Sequence, residues 1–315
     1  MARSLAVLMD AIADIKIAKD TTFALLLEAQ RRGYRISYLT HGDLAIRNGV
    51  PFARLATLAV RDQPGDWFSL GEAQWKDLRT FDVVLARKDP PVDEQFIHDT
   101  QVLQLAHDSG VLVVNDPQGL RDANEKLFAQ HFPQCCAPTL VARDAAELKR
   151  FAAEQGRVVL KPLDGMGGRS IFLSGHGDPN LNVILETLTG NGRAFAMAQK
   201  FIPEISAGDK RILMVDGEPV PYALARIPQG DEFRGNLAAG GKGVGVPLSE
   251  RDRWIAAQVG PELKRRGMLF VGLDVIGDFL TEVNVTSPTC LRELDAQFGL
   301  NIAGQLFDVI ESRKA

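Results

Sequence analysis

Short apolar runs alternate with helical patterns in the first third of the chain, and this alternation limits the fold more than any other feature. The runs are residues 5–10, 35–40, 83–87 and 112–116. Between the first two runs, Asp20 or Thr21 is placed to cap a helix that Gly33 ends. The alternation predicts parallel strands joined by crossover helices, with ligands bound beyond the carboxyl ends of the strands.

The rest of the chain has a different pattern, and we expect three units over residues 1–122, 123–205 and 206–315. In the second unit, two apolar runs flank a glycine turn, which predicts an antiparallel α+β unit. In the third, Asp216-Gly217 predicts a hairpin. Residues 227–247 contain six glycines and predict a long loop that serves as a lid.

Composition excludes several classes of protein. The 315 residues are 45% hydrophobic and carry a net charge of −4, with no basic runs, so a nucleic-acid partner is not expected. No segment approaches the ~18 apolar residues of a membrane span, and the first apolar run is too short for a signal peptide. The three cysteines, Cys135, Cys136 and Cys290, are an odd number without a CxxC pair, which predicts a reducing cytoplasmic location and no zinc site.

Acidic and amide side chains occur late in the chain, where residues 269–288 predict another hairpin. Glu282 and Asn284 are two apart and share one face of a strand. A three-residue loop over 277–279 places Asp274 opposite Glu282, whereas a two-residue loop places Asp274 on the other face. The first register gathers hard oxygen ligands suited to Mg²⁺. The alternative is a hairpin with one polar, solvent-facing side.

The stretch "LKPLDGMGGRSIF" (160–172) places Lys161 on a strand directly before a turn with three glycines. Backbone N–H groups of such a turn can bind an anion, and the lysine adds a charge for the same phosphate. The alternative is a flexible hairpin turn. Neither GxxxxGK[ST] nor a GxGxxG after the first strand is present, which disfavours a P-loop and a nicotinamide-dependent enzyme.

These parts occur together in one architecture, and the chain resembles the ATP-grasp superfamily. Over essentially its full length it closely resembles the prokaryotic glutathione synthetase family. The blocks that carry the resemblance are "RKDPP" (87–91), "NEKLF" (124–128), "LKPLDGMGG" (160–168), "DGEPVPY" (216–222), "LARIPQG" (224–230), "RGNLAAGG" (234–241), "VGLDVIGD" (271–278) and "TEVNVTSPT" (281–289).

The resemblance implies a mixed α/β and α+β ATP-grasp fold. It consists of an N-terminal parallel α/β domain that binds substrate, a central lid subdomain, and a C-terminal subdomain with the metal site. It also implies a carboxylate–amine ligase that joins γ-glutamylcysteine to glycine. ATP activates the cysteinyl carboxylate as an acyl phosphate, which the glycine amine attacks, and Mg²⁺ or Mn²⁺ is the cofactor.

The resemblance further implies a role for each matching residue. ATP would be bound by Lys126, Lys161, the flap around Asp164, Gly165, Met166, Gly167 and Gly168, the hinge Gln199, Lys200, Phe201 and Ile202, and the ribose ligand Asp209. Two Mg²⁺ ions would be held by Asp274, Glu282 and Asn284. The transferred phosphoryl group would be contacted by Arg211, Arg234 and Asn236, and the substrates by Arg87, Ser287 and Arg292.

Some alternatives remain beside this interpretation. Related ligases carry Asn-x-x-Pro-Gly where this chain has "NVTSPT" from Asn284, which argues against a D-alanine–D-alanine ligase or a ribosomal-protein glutamate ligase. Another ATP-grasp ligase with a different acceptor, or a non-catalytic ATP-binding protein, would share most of the blocks. Retention of all three predicted metal ligands favours an enzyme. The resemblance also implies a homo-oligomer, with tetramers common in the family.

Overall fold

A computed structural model describes residues 3–230, 232, 234, 235, 237 and 240–314. The strands are β1 (Ser4–Met9), β2 (Arg35–Leu39), β3 (Leu44–Arg47), β4 (Val50–Val60), β5 (Phe68–Leu70), β6 (Gln74–Asp77), β7 (Val83–Arg87), β8 (Leu112–Val114), β9 (Thr139–Ala142), β10 (Arg157–Pro162), β11 (Phe172–Gly175), β12 (Ala196–Lys200), β13 (Asp209–Val215), β14 (Glu218–Ile227), β15 (Lys242–Pro247), β16 (Phe270–Ile276) and β17 (Phe279–Asn284). The helices are α1 (Thr21–Arg31), α2 (Glu94–Asp108), α3 (Pro117–Asp122), α4 (Ala145–Gln155), α5 (Leu181–Thr189), α6 (Glu250–Arg265), α7 (Leu291–Phe298) and α8 (Ile302–Arg313). Within the described residues, no helix has both the length and the apolar character needed to cross a membrane.

The first sheet has the predicted parallel centre, in the order β2-β1-β7-β8. Asp20 caps α1 by accepting a hydrogen bond from the Phe23 N–H at 2.6 Å. The sequence interpretation missed the antiparallel extension in which β4 pairs with β2, β3, β5 and β6. Its signal was Asn48-Gly49, whose positive φ angles of 51° and 78° form the two-residue turn between β3 and β4.

The second sheet is antiparallel, in the order β11-β10-β12-β9, as the two apolar runs around the glycine turn predicted. α4 and α5 cover one face of it, where Leu148, Leu160 and Leu185 are fully buried. Each such leucine contributes roughly 1.5–3 kcal/mol relative to an exposed one. The other face is left for a ligand, and it carries Lys161.

The third sheet has the order β15-β14-β13-β16-β17 and contains both predicted hairpins. The predicted loop over 227–247 is shorter in the structure, because Lys242–Pro247 forms β15 and pairs with β14. The chain ends in two helices rather than the single expected one. Two continuous apolar clusters contain residues of both the first and the third sheet, which joins these sheets into one body.

Candidate active site

A cleft with a volume of about 260 Å³ lies between the three sheets, and it collects most of the residues predicted to act together. The predicted residues that line it are Lys126, Lys161, Gly165, Met166, Gly167, Gly168, Gln199, Lys200, Phe201, Ile202, Asp209, Arg211, Arg234, Asp274, Glu282, Asn284 and Ser287. Asp164, Arg87 and Arg292 do not line it. Asn236 lies outside the described residues.

Asp274 lies directly opposite Glu282 on the β16–β17 hairpin. The loop between the strands is the two-residue Gly277-Asp278, which by itself would place Asp274 opposite Thr281. Instead, the register shifts between Asp274 and Val275, so that Thr281 is an extra residue in β17, and its Oγ1 donates to the Asp274 carbonyl at 3.1 Å. A bulge, rather than the expected three-residue loop, therefore brings both carboxylates to one face.

Two buried arginines hold the Asp274 carboxylate. Arg211, opposite Asp274 on β13, donates Nε to Oδ1 at 2.5 Å and a terminal nitrogen to Oδ2 at 3.1 Å. A terminal nitrogen of Arg226 lies 2.8 Å from Oδ2. Burial opposes the charge of Asp274, but the two guanidinium groups outweigh it and hold the pKa of that carboxyl well below its usual range. Asp274 is therefore ionised throughout the physiological pH range.

Arg226 was missed by the sequence interpretation, although it lies in the block "LARIPQG". It also donates to Asp209 Oδ2 at 2.5 Å, so one guanidinium links Asp209 and Asp274. The other oxygen of Asp209, Oδ1, is buried and has no hydrogen-bond partner among the described residues. Burial raises the pKa of Asp209. An unsatisfied buried carboxylate oxygen in a cleft is placed to accept a hydrogen bond from a ligand.

Lys126 connects the hairpin to the glycine flap. Its Nζ lies 2.9 Å from Glu282 Oε1 and donates to the Gly165 carbonyl at 2.6 Å. Burial disfavours the ammonium, but the charge of Glu282 outweighs burial and raises the pKa of Lys126. Lys126 is therefore a fixed positive charge between the predicted metal ligand and the flap.

Lys161 is a second cation in the cleft, and it lacks a carboxylate partner among the described residues. Its Nζ has one hydrogen bond, to the Thr281 carbonyl, at 3.5 Å. The side chain is buried, and burial lowers the pKa of Lys161. A buried ammonium with so little compensation is costly, and it is suited to an anionic ligand.

The flap between β10 and β11 needs glycine at two positions, because Gly167 and Gly168 have φ angles of 64° and 80°. Arg234, from the loop between β14 and β15, donates to the Gly168 carbonyl at 2.7 Å and pairs with Glu232 at 2.5 Å. The flap and the described part of that loop therefore meet over the cleft.

Backbone groups at the hinge that follows β12 remain free for a ligand. The Lys200 N–H donates to the Pro138 carbonyl at 2.9 Å, but proline has no N–H to return the bond to the Lys200 carbonyl. Two residues on, the Ile202 N–H has no hydrogen-bond acceptor among the described residues. A carbonyl and an N–H two residues apart on an extended segment point to the same side.

Glu125 is a further buried carboxylate that the sequence interpretation did not single out. Its Oε1 accepts hydrogen bonds from the Val285 N–H at 3.0 Å, the Thr286 N–H at 3.1 Å and the Thr286 hydroxyl at 2.9 Å. Burial and the charge of Glu282 raise its pKa. Glu125 therefore fixes the segment that follows β17, where Ser287 lies.

Two predicted substrate ligands are engaged elsewhere. Arg292 pairs with Asp62 at 2.6 Å and donates to the Ile17 carbonyl at 2.8 Å, outside the cleft. Arg87 is fully buried below the cleft, where it donates to the Thr22 hydroxyl at 3.1 Å and the Pro288 carbonyl at 2.9 Å. The contact with Pro288 positions the segment that carries Ser287, while the structure does not bring Arg292 to the other predicted residues.

The oxygen atoms on the hairpin fit a hard divalent cation. Glu282 Oε2 has no hydrogen-bond donor among the described residues, and Asn284 uses its Nδ2 on the Gly272 carbonyl, which leaves its Oδ1 free. Asp274 Oδ1 accepts one hydrogen bond and keeps a second lone pair. Within the described part of the chain, no three histidine, cysteine or acidic side chains form a metal cluster by themselves. Two carboxylates and an amide therefore fit Mg²⁺, which prefers oxygen ligands.

Comparisons of the sequence and the fold with known proteins agree with this geometry. The family model "Prokaryotic glutathione synthetase, N-terminal domain" matches residues 4–121, and "Prokaryotic glutathione synthetase, ATP-grasp domain" matches residues 125–299. The chain is 70% identical to "Glutathione synthetase" of Xanthomonas campestris pv. campestris over 100% of both chains. It is 57% identical to "Glutathione synthetase" of Shewanella oneidensis, over 98% of each.

Solved structures share the fold at low identity. D-cycloserine synthetase DcsG has a TM-score of 0.66 at 16% identity, over 99% of this chain and 100% of that one. The ATP-grasp ligase PsnB, in complex with minimal precursor, Mg and ADP, has a TM-score of 0.62 at 15% identity, over 98% of each chain. The predicted ATP-grasp fold and the predicted family are thereby confirmed. The chain belongs to the prokaryotic glutathione synthetase family, whose members are ATP-dependent ligases.

Proposed function

We propose that this protein joins γ-glutamylcysteine to glycine with ATP and Mg²⁺, giving glutathione, ADP and phosphate. One observation supports this most strongly. The carboxylates Asp274 and Glu282 lie opposite each other in the cleft that also contains Lys126, Lys161 and the glycine flap. The carboxylates proposed for the metal therefore share one cleft with the cations proposed for the phosphates, and Lys126 Nζ lies 2.9 Å from Glu282 Oε1. Phosphoryl transfer to a carboxylate requires such a combination.

Lys161 and Lys126 hold the phosphates in this proposal. Lys161 has little else to neutralise it in the buried cleft. Lys126 already contacts the flap at Gly165, so the flap N–H groups and the ammonium would surround the same anion. This arrangement differs from a P-loop, since the amides lie between two antiparallel strands.

The hinge and Asp209 bind the rest of the nucleotide. The Lys200 carbonyl and the Ile202 N–H present an acceptor and a donor on one side, which complements the amino group and the ring nitrogen of adenine. Guanine presents the reverse pattern. The free Oδ1 of Asp209 accepts a hydrogen bond from a ribose hydroxyl.

Asp274, Glu282 and Asn284 would hold magnesium beside the phosphates. The metal, when bound, neutralises charge on the phosphoryl oxygens. The substrate carboxylate oxygen attacks the γ-phosphorus, and the bond from that phosphorus to ADP breaks. Arg211 lies beside Asp274 and stabilises the transferred group, while Arg234 approaches from the loop above the flap. Closure of this loop would exclude water from the acyl phosphate.

Phosphate release tests this function directly. Purified protein with Mg-ATP, γ-glutamylcysteine and glycine is expected to release phosphate and form glutathione. Without γ-glutamylcysteine, phosphate release is expected to fall to background. Turnover with another dipeptide or amino acid, but not with this pair, would instead indicate a related ligase, and ATP binding without any turnover would indicate a non-catalytic protein.

The assembly and the location of the protein are also proposals. Family resemblance supports a homo-tetramer, and the unpaired cysteines support a reducing cytoplasm. Light scattering coupled to size-exclusion chromatography checks the first. A mass corresponding to one chain would contradict it.

A further inference from the structure

Asp89 differs from the other carboxylates that line the cleft. Four of the five described carboxylates there are engaged, and these are Glu125, Asp209, Asp274 and Glu282. The Asp89 carboxylate forms no salt bridge with a cation of the described residues. It also accepts no hydrogen bond from a backbone N–H among them. The Ser287 hydroxyl lies beside it in the cleft. The cleft therefore contains one carboxylate that is free to bind a positively charged group of a ligand.

The backbone of Asp89 is fixed, so this carboxylate is held in place. Its N–H donates to Asp10 Oδ2 at 2.9 Å, and its carbonyl accepts from Lys88 Nζ at 2.9 Å. Pro90 and Pro91 follow and restrict the chain further. Because β7 ends at Arg87, Asp89 projects from the carboxyl end of the central parallel strands towards the third sheet.

Asp89 also lies in the same cleft as the proposed metal ligands. Ser287, beside Asp89, is three residues from the metal-ligand candidate Asn284, so Ser287 and Asn284 can be at most ~10 Å apart. The segment between them is fixed by the three hydrogen bonds to Glu125. Asp89, Ser287 and Asn284 line the same cleft, so an ammonium bound to Asp89 would share that cleft with the proposed metal ligands.

We propose that Asp89 is the proton acceptor for the incoming amine, an inference that rests on the proposed function. The substrate arrives as an ammonium ion, which has no lone pair to attack with. The Asp89 carboxylate takes one proton, and the freed lone pair forms the C–N bond at the acyl carbon. The C–O bond to phosphate breaks, and the second amine proton leaves with inorganic phosphate as HPO₄²⁻. Asp89 then releases its proton to solvent.

The surroundings of Asp89 suit this role. Burial raises its pKa, and Asp10 and Asp20 face it with like charge, while Arg87 and Lys88 oppose the shift. A carboxylate with a raised pKa is a stronger base than an ordinary one.

The test compares two nucleophiles on the Asp89→Asn variant. Hydroxylamine is largely uncharged near neutral pH and needs no base, and it converts an acyl phosphate to a coloured hydroxamate with iron(III). We expect the variant to lose ~10²- to 10⁴-fold in the kcat for glycine, while hydroxamate formation from γ-glutamylcysteine and Mg-ATP stays within about twofold. Retained hydroxamate formation also shows that the variant is folded.

A pH profile provides a second readout. In the variant, the free amine must come from solution, so the rate with glycine should rise about tenfold per pH unit below the pKa of the amine. Asp93→Asn is the matched control, because Asp93 lies outside the cleft and asparagine caps α2 equally well. It should behave as the wild type.

Two results would overturn the proposal. Equal loss of glycine ligation and hydroxamate formation would mean that Asp89 holds γ-glutamylcysteine or ATP instead. Unchanged ligation with an unchanged pH profile would mean that it has no role. Failure of the wild type to form either product would count against the proposed function itself and not against Asp89.

Discussion

Lys126 donates a hydrogen bond to Glu282 at 2.9 Å, and so pairs with a carboxylate that we propose as a magnesium ligand. The same Nζ contacts the flap carbonyl of Gly165 at 2.6 Å. With magnesium and nucleotide bound, Glu282 would hold the metal in place of the ammonium, and Lys126 would face a phosphate. Lys126 therefore balances the charge of Glu282 within the cleft.

Replacing Glu282 tests this exchange. Glu282→Gln keeps the shape of the side chain but removes the charge that binds magnesium, so we expect turnover to fall by at least ~10³-fold. Phosphate release measures activity, and the circular dichroism spectrum checks the fold. Glu218→Gln, at the exposed start of β14, is the control and should retain activity. A Glu282→Gln variant with normal turnover would show that the hairpin is not the metal site.

We expect the buried ammonium of Lys161 to lower the stability of the folded protein, while the same charge binds phosphate. Because the lysine is buried and nearly unpaired, Lys161→Met should raise the free energy of unfolding by about 1 kcal/mol or more and abolish ATP-dependent stabilisation. For the wild type, ATP at a hundred times its Kd should add about 2.7 kcal/mol. Thermal melts with and without Mg-ATP measure both effects.

The pH dependence of this difference has a defined sign. The pKa of Lys161 is lower in the folded state than in the unfolded chain, so its charge destabilises the fold most at low pH. The advantage of Lys161→Met should shrink as pH rises towards the unfolded pKa of ~10.4. Lys210→Met is the contrasting control, because it strands the buried partner Asp252 and should cost about 3–5 kcal/mol. If both variants lose stability equally, the interpretation of Lys161 is wrong.

Asp209 and the ribose should behave as a coupled pair. Asp209→Asn is expected to raise the KM for ATP by about 10- to 100-fold, since a hydrogen bond to a charged group contributes ~1.5–3 kcal/mol. The wild type with 2′-deoxy-ATP and with 3′-deoxy-ATP identifies the hydroxyl involved. The variant should discriminate little between ATP and that analogue. If the losses caused by Asp209→Asn and by the deoxy analogue add up, the ribose hydroxyl does not contact Asp209.

For Arg292, in contrast, we expect a substitution to have little effect on activity or stability. Because its guanidinium pairs with Asp62 outside the cleft, Arg292→Gln should leave the KM for glycine within about twofold and stability within ~1 kcal/mol. Steady-state kinetics with glycine as the varied substrate measure the first. A rise of ~100-fold or more would mean that Arg292 leaves Asp62 and binds the glycine carboxylate during turnover.

The sequence predicted what depends on local pattern. The parallel strands, the Asp216-Gly217 hairpin and the pairing of β10 with β11 follow from periodicity and turn residues over short spans. β15 was hidden because Lys242–Pro247 has two glycines and gains its strand form only by pairing with β14. Tertiary pairing decided that segment, against its low strand propensity.

The candidate site shows the same division between what the local sequence predicts and what tertiary contacts decide. Which side chains carry charge is visible in the sequence, but their partners are set by long-range contacts. The bulge at Thr281 depends on no turn motif, yet it decides whether Asp274 meets Glu282. Arg226 bonds to both Asp209 and Asp274, and Asp62 removes Arg292 from the cleft, through pairings that spacing along the chain does not specify.

A crystal structure with Mn²⁺ and a non-hydrolysable ATP analogue tests the central claim most directly. Anomalous scattering would locate each metal independently of the refined side chains. We predict a peak bound by oxygens of Glu282, Asn284 and Asp274, with the triphosphate between it and Lys161 and the flap closed above. A nucleotide bound in the cleft without a metal at the hairpin, and with Lys126 still paired to Glu282, would contradict the account.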